Sequence, residues 1–172
     1  MRIALAAAFT VALVSTGATQ TKPDFSGKWT NTRTDTRGAN LSGVVGIKNM
    51  TIAQSASSLR IERLYGENTV AIVLPLDGSK AEYTLEPGGV GVAATPRTLE
   101  SRAKWKDNKL VISTEYRKIG GEVFTEETLS LRGNDLIVER VDESRGDRGP
   151  SMRGNLPAKA IYTRVTKRDN DR

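Results

Sequence analysis

The 172-residue chain contains no histidine and no cysteine. That removes imidazole bases, thiol nucleophiles and the ligand sets of most zinc sites together. Glu126 and Glu127 stand side by side, but neighbours in an extended strand point to opposite faces and cannot work as a catalytic pair. The stretch "PGGVGVA" (87–93) has glycines without the Lys-Ser/Thr and following helix of a phosphate-binding loop, and reads as a flexible turn. "RGD" at 145–147 is a three-residue coincidence, and the sequons at Asn40 and Asn49 matter only in a eukaryotic source. No catalytic residue, metal ligand or cofactor site emerges, so the chain reads as non-catalytic. The chemistry that remains is that of binding. Arg63, Tyr83, Thr114, Glu127, Arg140, Tyr162 and Arg164 fall on alternating positions shared with aliphatic residues. Buried guanidinium, phenol and hydroxyl groups need partners, and the polar end of a bound small molecule would be one.

Those residues sit in a chain that reads as strand after strand. "KNMTIAQS" puts Met50, Ile52 and Gln54 on one face, and "SSLRIERLY" sets Leu59, Ile61 and Arg63 against Arg60 and Glu62. "TVAIVLPL" carries Val70, Ile72 and Leu74. After an Asp77-Gly78 turn, "KAEYTLE" alternates Ala81, Tyr83 and Leu85 with Lys80, Glu82 and Thr84. Leu99, Ser101, Ala103 and Trp105 oppose Glu100, Arg102, Lys104 and Lys106. Period two with polar residues opposite means half-buried antiparallel strands. Short turns at Asp107-Asn108, Gly120-Gly121 and Gly133-Asn134-Asp135 join the next runs into hairpins, and "AKAIYTRVTK" is the last strand. About eight to ten strands with tight turns predict an all-β, up-and-down antiparallel barrel, because closure removes exposed edges. Two stretches break the rhythm and read as loops: 36–46 and 143–157.

The first residues have the layout of a secretory signal peptide: Arg2, an apolar run from Ile3 to Val14, then small residues. Cleavage near Ala18 is expected, leaving 19–172 as one domain and placing the mature protein in the periplasm or outside the cell. The apolar run is well short of the ~20 residues of a spanning helix, so no integral membrane segment is expected after cleavage. The net charge of +6 comes from basic residues interleaved with acidic ones, without a basic stripe or stacking aromatics, so nucleic acid is not expected as a partner. Charged side chains such as Glu62, Arg102 and Lys104 on the outward faces exclude the lipid-facing band of an outer-membrane barrel.

One constellation joins the two ends of the chain. Gly27-Lys28-Trp29 opens the first strand and Tyr162-Thr163-Arg164 lies in the last. In an up-and-down barrel these strands are neighbours, so Arg164 can lie over the Trp29 indole that plugs one end, with Gly27 allowing a close backbone approach. In this the chain resembles the lipocalins and the wider calycin group, with their G-x-W motif and an arginine near the final strand. It also resembles small secreted bacterial proteins that open with "DFSGKW"-like segments and continue with runs like "WKDNKLVI". The resemblance implies barrel closure by Gly27, Trp29 and Arg164. The second lipocalin motif is not matched, since "TEY" at 114–116 lies inside a strand, and the disulfides common in secreted lipocalins are absent. The chain end also resembles fatty-acid-binding barrels, which hold a carboxylate with an arginine and a tyrosine on one face of the last strand. Tyr162 and Arg164 share a face here in the opposite order.

Two readings of the interior follow. If Gln54, Arg63, Thr114, Glu127, Arg140 and Arg164 all point inward, the barrel holds a hydrated cavity for a small hydrophobic or amphipathic ligand, an anionic headgroup included. Its apolar lining is then Leu59, Ile61, Ile72, Tyr83, Ile112 and Leu129, and its arginines outnumber the one inward carboxylate. If a bulge turns the polar residues outward, the barrel is filled and the protein is a non-catalytic envelope or protein-interaction module.

Overall fold

The computed structural model describes residues 21–35, 47–65, 68–85, 97–118, 121–146, 152–153 and 158–166. The leader, the 36–46 loop and the 87–93 glycine stretch lie outside them. The strands are β1 (Gly27–Asp35), β2 (Asn49–Gln54), β3 (Ser58–Tyr65), β4 (Asn68–Pro75), β5 (Lys80–Leu85), β6 (Arg97–Lys106), β7 (Lys109–Lys118), β8 (Gly121–Arg132), β9 (Asp135–Gly146), β10 (Met152–Arg153) and β11 (Ala158–Arg164). Hydrogen bonding runs β4-β3-β2-β1-β11-β9-β8-β7-β6-β5, with β10 attached to β9. Every pair is antiparallel. The two ends of this path, β4 and β5, follow one another in the chain and lie close together without a ladder between them. The result is a nearly closed all-β barrel, as the alternation predicts.

The local signals act as expected. Asp107-Asn108 joins Lys106 to Lys109 in a two-residue hairpin, with Asp107 at φ 55°, the left-handed conformation such turns need. Gly121 has φ +145°, and a Cβ there would lie 2.0 Å from the Arg145 carbonyl oxygen, so only glycine lets β8 and β9 approach at that end. The expected 143–157 loop is corrected in part. Glu143 to Gly146 continue β9, paired to Phe124, Val123, Glu122 and Gly121, and Met152–Arg153 pair back onto β9. The alternation of β9 simply outlasts its aliphatic residues.

One apolar cluster occupies the end of the barrel where the chain enters. It includes Phe25, Trp29, Leu59, Ile61, Leu74, Leu110, Leu129, Leu136 and Tyr162, all at most 1% exposed. The segment before β1 folds across this end and plugs it. The Phe25 ring stacks on Trp105 at 5.8 Å, its carbonyl accepts from Trp29 Nε1 at 3.0 Å, and its N–H donates to Gln54 Oε1 at 3.1 Å. Gln54 Nε2 donates in turn to the Pro23 carbonyl at 2.9 Å. Trp29 pairs with Arg164 across β1 and β11, and the guanidinium lies 4.7 Å from the indole centre. Gly27 is needed for another reason than close backbone approach. Its φ is +147°, whereas a Cβ would meet only the Arg164 and Trp29 side chains at ordinary distances of 3.5–3.6 Å. Among the described residues no helix is long and apolar enough to cross a membrane.

Candidate functional site

Above the apolar cluster the barrel interior turns polar. The register aligns Ala158, Arg140, Glu127, Ile112 and Ala103 in one inward row across β11, β9, β8, β7 and β6. The next row holds Asp142, Thr125, Thr114 and Ser101. Both rows follow from period two: each polar residue replaces an aliphatic one on the face that is already inside.

Arg63 reaches these rows from the opposite wall, on β3. Its guanidinium forms a bidentate ion pair with Glu127, Nη1 donating to Oε1 at 3.2 Å and Nη2 to Oε2. Arg140 Nη1 donates to the same Oε1 at 3.3 Å, its Nη2 to Thr125 Oγ1 at 3.3 Å and its Nε to Asp142 Oδ1 at 2.7 Å. The side chains of Glu127, Arg63 and Arg140 are 6%, 11% and 13% exposed, and that of Asp142 is 24%. Beside them runs a hydroxyl row: Ser101 Oγ donates to Tyr83 Oη at 3.4 Å and shares a hydrogen bond with Thr114 Oγ1 at 2.6 Å.

The electrostatics follow from this packing. Burial by itself would raise the Glu127 carboxyl, but Arg63 and then Arg140 outweigh it and hold it below its ordinary value. Burial likewise works against the Arg140 charge, and Glu127 and Asp142 overcome it, so its pKa is raised. Burial pushes the Tyr83 phenol up, and it stays protonated as a donor and acceptor.

Arg63, Tyr83, Thr114, Glu127 and Arg140 thus meet inside the barrel, and no bulge turns them out. Two candidates do not join them. β11 starts level with Arg140, opposite Ala158, and runs away from it, so at ~3.4 Å per residue Tyr162 and Arg164 end roughly 14 and 20 Å further along. Tyr162 is buried in the apolar cluster with its hydroxyl donating to the Ile47 carbonyl at 3.4 Å, and Arg164 is exposed over Trp29. Gln54 also belongs to the end plug. The expected surplus of inward arginines is corrected too, because Asp142 matches Glu127 with a second carboxylate. Thr125 was legible in the alternation of β8, two residues from Glu127, and Asp142 only if β9 is extended past Val141.

Of the expected apolar lining, Leu59, Ile61, Ile72, Ile112 and Leu129 are packed in the cluster, and Tyr83 rests against it. On the other side of the polar rows, Leu99 and Val123 are buried but lie outside that cluster. A concavity of about 330 Å³ lies over β6–β9, with Phe124 and Val141 among Glu100, Glu115 and Arg145. Arg145 covers the Phe124 ring at 4.6 Å there and pairs with Glu143 at 3.0 Å. Among the described residues no group of three or more His, Cys, Asp or Glu side chains is placed to hold a metal.

No family model matches the sequence, and no curated protein does. Solved structures do match in fold. Human cRBP IV superposes with a TM-score of 0.54 at 18% identity, covering 83% of this chain and 99% of its own. The REP1-NXSQ fatty acid transporter superposes with a TM-score of 0.54 at 14% identity, covering 82% of this chain and 96% of its own. The protein is therefore a lipocalin-like, nearly closed antiparallel β-barrel with a polar layer set across its interior.

Proposed function

We propose that this barrel is exported and binds a small hydrophobic or amphipathic molecule without catalysis. The observation that carries the reading is the meeting of Arg63 and Arg140 on Glu127 inside the barrel, flanked by the Tyr83–Ser101–Thr114 hydroxyl row. Desolvating three charged side chains is costly, and a barrel that only needed filling would be as stable or more so with aliphatic residues there. A few convergent polar groups within an apolar surround are what orient a small molecule. Its polar end would meet this layer, with Ile112 and Leu129 on one side and Leu99 and Val123 on the other. A fatty acid transporter shares this architecture, which supports the ligand class.

The test is a titration of the purified mature protein with a fluorescent fatty acid, fatty alcohol and fatty acid methyl ester of equal chain length. Saturable binding of at least one, displaced by the unlabelled compound, is expected. Binding of none would favour a second reading, motivated by the outer groove around Phe124 and Val141: a filled barrel whose outer face meets a protein.

A further inference from the structure

A guanidinium fork is the protein's standard receptor for a carboxylate, and among the described residues two meet in this interior layer. Both are already occupied from within. Glu127 takes both terminal nitrogens of Arg63 and one of Arg140, and Asp142 takes Nε of Arg140. Among the described residues the layer pairs two guanidiniums with two carboxylates, so their charges balance before any ligand arrives. A ligand carboxylate entering here would either displace Glu127, leaving that charge buried and unpaired, or add a third negative charge beside it. Both are costly where water is scarce.

The hydroxyl row is differently placed. Ser101 is fully buried and Thr114 and Tyr83 are half-buried, and each hydroxyl can donate and accept. A neutral hydroxyl, carbonyl or ester oxygen can join such a row by rotating protons, with no charge to compensate. Tyr83 lies within electrostatic reach of both Arg63 and Glu127, so the row and the ion network border one site.

Building on the ligand-binding reading above, we propose that Glu127 is a built-in stand-in for a ligand carboxylate, and that the barrel selects amphiphiles with an uncharged polar end over free acids. Glu127 is then the specificity-determining residue, setting headgroup charge by occupying both arginines.

The experiment compares the fluorescent fatty acid with the matching alcohol and methyl ester, at neutral pH, on wild type and Glu127→Gln. Wild type should bind the neutral probes at least about tenfold more tightly than the acid. Glu127→Gln keeps the shape and an acceptor oxygen but removes the charge. Its acid affinity should rise about tenfold or more, and by a clearly larger factor than any change in alcohol affinity. Asp142→Asn, nearer the edge of the layer and less buried, should shift the acid in the same direction by a smaller factor. It serves as the test if Glu127→Gln does not fold. Glu82→Gln, an exposed carboxylate on the outer face, should change neither. Acid binding that equals or exceeds neutral binding in wild type, or that fails to improve in the folded interior variants, overturns the stand-in role. Since a probe still binds in either case, the ligand-binding reading survives it. Binding of no probe by folded wild type and variants overturns the ligand-binding reading itself, and this inference with it.

Discussion

Arg63→Met and Glu127→Leu, singly and together, measure whether the two walls of the barrel are joined through the interior. In Arg63→Met, Glu127 keeps Arg140 at 3.3 Å and loses the bidentate pair. Charge-assisted hydrogen bonds are worth about 1.5–3 kcal/mol each, and the methionine recovers part of that by apolar burial, so a net loss of about 2–3 kcal/mol is expected. Glu127→Leu is worse. Arg140 keeps Asp142 and Thr125, but Arg63, with only 11% of its side chain exposed, is left without its carboxylate beside another cation. Removing one partner of a buried pair costs about 3–5 kcal/mol. In the double variant neither stranded charge remains, and a methionine and a leucine meet next to Ile61 and Ile112. Stability should return to within about 1 kcal/mol of wild type, or exceed it. Urea unfolding at neutral pH, with the slope compared across all four proteins, reads these differences. The coupling expected is at least about 4 kcal/mol, above the roughly 0.5–3 kcal/mol usual for residues in contact because a buried charge is stranded in each single variant. A double variant that loses the sum of the two single losses would show that Arg63 and Glu127 do not meet across the barrel.

Four further outcomes bear on the plug, the ion network and export. Trp29→Ala should cost about 3–5 kcal/mol, because the indole is 1% exposed and its N–H is held by Phe25. Arg164→Ala, which removes an exposed cation from the indole face, should cost about 0.5–1 kcal/mol, and almost nothing further in the Trp29→Ala background; additive losses in urea melts would separate the two residues. Because Glu127 is held below its ordinary value of 4.5, the folded state resists its protonation more than the unfolded state does. Its stabilisation is therefore present above that value and lost as pH falls through the lower native one. Urea midpoints should drop on acidification in wild type, with a shallower fall in Glu127→Gln; equal slopes would contradict the direction. The mature protein from its native host should begin close to Thr19, and an intact mass that retains Met1 would contradict the export proposal.

Barrel, strand count and the Trp29–Arg164 contact were legible in the sequence because each depends on local rules. Side-chain direction alternates with period two, and hairpin turns announce themselves in Asp107-Asn108 and Gly133-Asn134. With those turns short, an antiparallel meander has few ways to order its strands, so the first and last strands become neighbours. Alternation also placed Arg63, Thr114, Glu127 and Arg140 on inward faces. It could not say which inward residues meet, because that depends on height along the barrel. Arg63 and Glu127 are 64 residues apart and on opposite walls, and only the rolling of the sheet into a nearly closed barrel brings them level. The same geometry carries Tyr162 and Arg164 to the plugged end, although they share a face with residues that stay near Arg140. The charge balance was beyond the sequence for a related reason. Asp142 sits where β9 stops looking like a strand by composition, yet its backbone is still paired with Thr125 on β8. Face is a property of the chain's own pleat; level and partner belong to the sheet once it is rolled into a barrel.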